Sequence, residues 1–289
     1  MYARCRVLVI AGRVGNRVAN ATFSLDGTEY KLEANNDQHA LHGGSGGFHK
    51  RHWDSAVEGN GVKLTYVSAD MEEGYPGELT TTITYSLGED NEFGINYKAT
   101  TNKKTIVNLT NHSYFNLAGA GSGKTHFEHE MHMACRGFTP VGTDLIPTGE
   151  VASVEGTPFD FREQKSFGAE IGKVENGYDH NYCVNRVGVA PGHLAHVCTV
   201  SEPSSGRTLA VKTTEPGCQF YCGGFLDGTN VGREGKAYPK FGGFCLETQH
   251  YPDSINQATF ESIVVAPGQT YDSTTVYTFG VNSKRRRDD

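Results

Sequence analysis

Two side chains in this sequence are best suited to moving protons: His112, in Asn111-His112-Ser113-Tyr114-Phe115-Asn116-Leu117, and Glu247, in Phe244-Cys245-Leu246-Glu247-Thr248-Gln249. An imidazole and a carboxylate on separate strand-like segments are how a folded scaffold sets a general acid facing a general base. Leu41-His42-Gly43-Gly44 and Tyr178-Asp179-His180-Asn181-Tyr182 add a second imidazole and a second carboxylate. All four segments are aromatic-rich and carry little other charge. The set points to one neutral, polyhydroxylated ligand.

Glu247 stands out because its neighbours are residues that bury, and carboxylates are rarely buried without a partner or a task. Burial would raise its pKa and suit it to accept a proton near neutrality. An isolated histidine is more often a half-buried ring satisfied by a backbone carbonyl. For His112, however, the alternating apolar and polar residues of 107–117 would turn the polar set onto one sheet face. The run His42-Gly43-Gly44-Ser45-Gly46-Gly47 lacks the Lys-Ser/Thr ending of a phosphate-binding loop, so we read its glycines as allowing close backbone approach while holding His42. His126, His129 and His132 have a spacing that, in a strand, sends successive rings to opposite faces, so no metal site is expected there. Asn16 and Arg17 offer the fixed donors that sugar hydroxyls need.

The elements that must position these groups are short strands. Phe23 to Leu32 reads as two runs around Asp26-Gly27, a hairpin signal. Residues 63–68, 78–87, 92–100 and 104–109 follow as a meander rich in β-branched and aromatic residues. Later strands are expected at 129–135, 181–184, 196–202, 208–214, 219–222, 243–248, 262–266 and 274–279. Helical periodicity is scarce, with a turn or two near 163–171. The fold class is therefore all-β, a large antiparallel β-sandwich or a closed barrel. The glycine- and aromatic-rich loops 35–53 and 215–240 are long enough to be functional.

A chain of 289 residues suits one domain spanning 1–289. The formal net charge of -7 lacks the basic excess that a nucleic-acid backbone demands. The apolar run Val7-Leu8-Val9-Ile10 is too brief to cross a bilayer, so no membrane partner is expected. Seven cysteines, an odd number without a clear signal peptide, read as reduced thiols of a cytoplasmic protein. Residues 282–289 are a charged C-terminal tail, read as a solvated end.

Taken in order, Gly12 to Arg17, Leu41 to Trp53, Glu73-Gly74-Tyr75-Pro76-Gly77, Asn111 to Leu117, Tyr178 to Tyr182, Glu247-Thr248-Gln249 and Pro252-Asp253 closely resemble the aldose 1-epimerase family. The resemblance runs from about Gly12 to Phe279. It implies a galactose mutarotase-like supersandwich that is N-terminally shortened, with residues 1–11 a divergent start and the opened sheet prone to self-association. It also implies that Glu247 removes the anomeric hydroxyl proton and His112 protonates the ring oxygen of galactose or glucose. His42 and Asp179 would bind hydroxyls, with Asn16, Arg17 and Gln219 completing the pocket. No cofactor is expected, and the chain is expected as a monomer or weak homodimer. Trp53, Tyr114, Phe115 and Phe225 are candidates for apolar surface against the sugar. Two other readings stand beside this one: a sugar-binding module without turnover, and a hexose-6-phosphate 1-epimerase, which would need more clustered arginines than Arg13 and Arg17.

Overall fold

A computed structural model describes residues 10–232 and 235–282. Of the divergent start 1–11 and the charged tail 282–289, only Ile10, Ala11 and Asn282 are among the described residues. The first three runs of the β-branched meander lie side by side toward one end of a nine-stranded antiparallel sheet. In order across it the strands are Lys165–Ser166, Glu130–Met133, Ala195–Ser201, Arg207–Thr213, Tyr271–Val281, Glu92–Thr101, Leu79–Leu87, Gly61–Ser68 and Asp54–Glu58. Inward residues alternate with outward ones, as in Tyr271, Ser273, Thr275 and Tyr277, because a strand turns successive side chains to opposite faces.

A five-stranded sheet, ordered Ala152–Ser153, Gly137–Phe138, Asp179–Cys183, Gly217–Tyr221, Cys245–Gln249, packs against it. The two inner faces meet directly. Tyr277 donates its hydroxyl to Leu246 O at 2.9 Å, and the Thr248 and Thr275 hydroxyls share a hydrogen bond of 2.6 Å. Phe220 and Leu246 from one sheet join Ile83, Ile95, Tyr97 and Val211 from the other in one apolar cluster. The expected sandwich is the observed architecture, and the closed-barrel alternative is not. Gly217–Tyr221 and Cys245–Gln249 are buried at every position. Their second face therefore lies under other chain segments, and that face carries the site.

Some elements differ from their expected form. The hairpin Thr22–Leu25 and Thr28–Lys31 closes at Asp26-Gly27 as read. The run 104–109 does not make one strand. Only Thr105–Ile106 is strand, paired with Val264–Val265; the next strand, Thr110–Asn111, begins just beyond the run and pairs with Ile10–Ala11. The helical turns fall at Phe167–Ala169 and Ile171–Lys173. Asp54–Glu58, exposed at every position, is an edge strand with no buried face to announce it.

The motif at 73–77 has a structural cause. Arg13 is 2% exposed, and its guanidinium donates to Pro76 O at 3.0 Å, Gly77 O at 2.8 Å and the Ser68 hydroxyl at 2.6 Å. Tyr75 packs its ring near the same group. Burial lowers the Arg13 pKa to about 10, while Glu72 opposes that change. Arg13 thus fastens the 68–77 loop beneath the Gly12–Gly15 segment. Replacing it by Met strands several buried acceptors at roughly 1–3 kcal/mol each. Arg13→Met should lower the urea midpoint by the equivalent of about 3 kcal/mol or more; a midpoint within 0.5 kcal/mol of the parent, as an order-of-magnitude tolerance, would contradict the assignment.

Candidate active site

Strand register builds the floor. Asp179 pairs with Tyr221 and Tyr221 with Cys245, while Asn181 pairs with Gln219 and Gln219 with Glu247. Paired residues share a face and residues two apart share it too. Asp179, Tyr221, Cys245 and Glu247 therefore look outward from the sandwich core in two adjacent rows, while Phe220 and Leu246 look inward.

His112 reaches this floor from a loop, correcting the expectation that strand alternation would aim it. The strand ends at Asn111. The next anchor is a pair of backbone hydrogen bonds between Phe115 and Phe244, at 2.8 and 2.9 Å, which seats the loop beside the start of Cys245–Gln249. His112 Nε2 lies 3.5 Å from Glu247 Oε1. His42 approaches from the opposite side with its ring 5.2 Å from that of His112, edge to face. Its backbone is left-handed, at φ 53°.

These groups line a cavity of about 260 Å³ together with Asn16, Arg17, Tyr114 and Phe225. That is below the ~300–1,000 Å³ typical of sites for drug-sized ligands, and suits one small ring. Glu247 is 2% exposed, and its Oε2 is buried without a hydrogen-bond partner among the described residues. Burial pushes its pKa well above the ordinary carboxylate value; Asp179 adds to the rise and Arg17 opposes it. Such a carboxyl holds a proton more tightly than an exposed one, the property wanted in a base that must take a hydroxyl proton and return it.

Of the expected ligand-binding residues, Asn16, Arg17, His42 and Asp179 line the cavity, and Gln219 does not. Gln219 instead donates to Asp179 Oδ1 at 2.7 Å, so it sets the carboxylate from behind. Asn16 accepts the Arg17 N–H on Oδ1 at 2.9 Å, while Arg17 Nε donates to Asn36 at 3.0 Å. Asp253 completes the turn by accepting Ala19 N–H at 2.9 Å. Tyr114 and Phe225 provide apolar lining, whereas Trp53 packs on Phe48 and Tyr66, and Phe115 packs on Phe244 and Tyr277. Tyr221, Asn35, Asn36, Asp227 and Asn230 also line the cavity and had not been singled out. Tyr221 was discoverable, since it lies two residues from Gln219.

His42, His112 and Glu247 have ligand atoms within 4.8 Å of one another, a spacing that a metal could use. The donor chemistry does not fit one. Asn16 N–H donates to His42 Nδ1 at 3.1 Å, so the neutral ring carries its proton on Nε2 and meets the cavity as a donor. His126 and His129 also differ from the expected opposite facing. They precede the strand Glu130–Met133 and both turn inward; His126 Nε2 meets Cys222 O and His129 Nε2 accepts Leu117 N–H at 2.8 Å. Burial lowers both to about 4, leaving them neutral.

With this geometry in view, a family model described as Aldose 1-epimerase matches residues 7–278. The chain belongs to the aldose 1-epimerase family. It is 48% identical over 273 residues to a galactose mutarotase of Bos taurus, a match covering 94% of this chain and 78% of that protein. An aldose 1-epimerase of Escherichia coli is 36% identical over 276 residues, covering 93% and 78%. Among solved structures, an aldose epimerase homologue from C. elegans superimposes with a TM-score of 0.89 at 28% identity, covering 97% of this chain and 84% of the other. No helix of the described residues in this epimerase is long and apolar enough to cross a membrane.

His42 depends on its glycine neighbour. Gly43 has φ +82°, and a Cβ there would stand 1.9 Å from Gly12 O. Gly43→Ala should cost about 2 kcal/mol or more and raise KM by displacing His42. An unchanged melting temperature with unchanged KM would refute this.

Proposed function

We propose that this epimerase interconverts the α and β anomers of galactose and glucose, with Glu247 as base on the anomeric hydroxyl and His112 as acid on the ring oxygen. The observation that carries the assignment is the convergence of His112 Nε2 and Glu247 Oε1, 3.5 Å apart, on the floor of a small polar cavity. The two sugar oxygens concerned share the anomeric carbon, so the groups serving them must be close neighbours.

Glu247 takes the proton of the C1 hydroxyl, the C1–O bond becomes a carbonyl, and the bond from C1 to the ring oxygen breaks. His112 gives its proton to that oxygen. Rotation about C1–C2 then presents the other aldehyde face. On reclosure His112 recovers its proton and Glu247 returns its own to the new C1 hydroxyl. Proton inventory and charge are restored in each cycle. Asp179, His42 and Arg17 hold the remaining hydroxyls and so keep the open chain registered. A phosphorylated hexose is not favoured. Arg13, the other arginine of the Gly12–Arg17 segment, is committed to the 68–77 loop.

Glu247→Gln should slow mutarotation of α-galactose by about 10² to 10⁴. It also makes a stability prediction. A folded pKa raised above the unfolded value near 4.3 means that the native state binds more protons, so stability falls as pH rises past that value. The variant escapes this cost. Its melting temperature should exceed the parent's at pH 7 and match it near pH 4. Polarimetry and melting curves at both pH values check the pair; a variant as fast as the parent removes Glu247 from the chemistry.

A further inference from the structure

Cys245 is fully buried and precedes Glu247 by two residues on the same strand, so both side chains face the site. Its Sγ lies 3.4 Å from His112 Nδ1, while Glu247 Oε1 lies 3.5 Å from His112 Nε2. One strand thus meets both nitrogens of the proposed acid, from alternate positions on one face. A thiol is an unusual partner for Nδ1. An acceptor on Nδ1–H holds the neutral tautomer whose Nε2 can take the proton back, but a carboxylate there would strongly favour the imidazolium. A thiol sulfur is a weak acceptor, so it orients the ring with little bias toward the charged form.

We propose that Cys245 is the positioning residue for His112: its sulfur accepts from Nδ1–H both in the imidazolium and in the neutral ring left when Nε2 has given its proton to the sugar. The ring then keeps Nε2 on the sugar in both protonation states with little bias toward the charged one. This matters because anomer exchange runs the proton roles forward and then in reverse within a turnover. An acid committed to one state would slow one half of the cycle. Among the described residues, Glu247 from the same strand and His42 face the ring, and Arg17 and Asp179 line the same cavity. Tyr114 and Tyr221 pack on the ring at 5.1 and 6.1 Å. The inference rests on His112 being the acid.

The test is kcat and KM for α-galactose across pH 5–9 in the full chain and in Cys245→Ala, Cys245→Ser, Cys245→Asp and His112→Gln. The alanine variant leaves Nδ1–H of the imidazolium facing a methyl group. The acid should therefore lose its proton earlier, and the alkaline limb of kcat should move to lower pH. Its kcat near neutrality should fall about tenfold, the equivalent of one hydrogen bond, with KM unchanged. Serine, whose hydroxyl oxygen also accepts from Nδ1–H, should restore the limb toward the parent position. Aspartate, which favours the imidazolium, should move it to higher pH. An alanine variant with the parent's kcat and limb overturns the proposal while His112→Gln remains inactive. Should the alanine variant not melt cooperatively, serine and aspartate variants with coincident limbs overturn it instead. A fully active His112→Gln overturns both this proposal and the acid assignment beneath it.

Discussion

The burial of one carboxyl group is the constraint that organises this molecule. Glu247 sits on a strand whose five residues are all buried, so its charge has little access to bulk water. Removing a carboxylate from water is costly, and here the cost appears as a raised affinity for a proton. The same property that strains the fold strengthens the group's hold on a proton. A rigid sheet is required to keep it so, because a mobile backbone would let the group escape to solvent.

That sheet is held from both sides. Tyr277 and Thr275 of the larger sheet hydrogen-bond to Leu246 and Thr248, the two residues flanking Glu247, so the core side of the strand is pinned while its other face is left for chemistry. On the site side, several residues work by setting others. Gln219 orients Asp179, Asp253 and Asn16 shape the turn that presents Arg17, and the Phe115–Phe244 bridge delivers His112. Loops thus carry much of the site, but each is tied to the sheet by backbone or buried polar bonds, which is how a loop residue keeps a fixed geometry.

The strands were legible where β-branched residues alternate over seven or more positions, as in Leu79–Leu87 and Tyr271–Val281, with ends misplaced by up to three residues. They were illegible where burial does not alternate. Asp54–Glu58 is exposed throughout and pairs with Gly61–Ser68 at the sheet edge. Residues 104–109 have the right composition for one strand, yet pairing stops after Ile106 and resumes with a different partner only at Thr110. Aromatics behaved likewise: composition could not tell Tyr114, which lines the cavity, from Phe115, its neighbour, which faces the core.

By itself the sequence determined the all-β class, the types of group available for proton transfer and the identity of the family, because these follow from local propensity and from ordered motifs. Tertiary structure alone decided that His112 lies beside Glu247, that Gln219 stands behind Asp179, that Arg13 serves the fold, and that Cys245 reaches His112. Each of those facts depends on strand register and on contacts between residues more than thirty positions apart, as from Cys245 back to His112. Periodicity along the chain specifies which face a residue takes, but only the pairing of strands specifies what stands across from it.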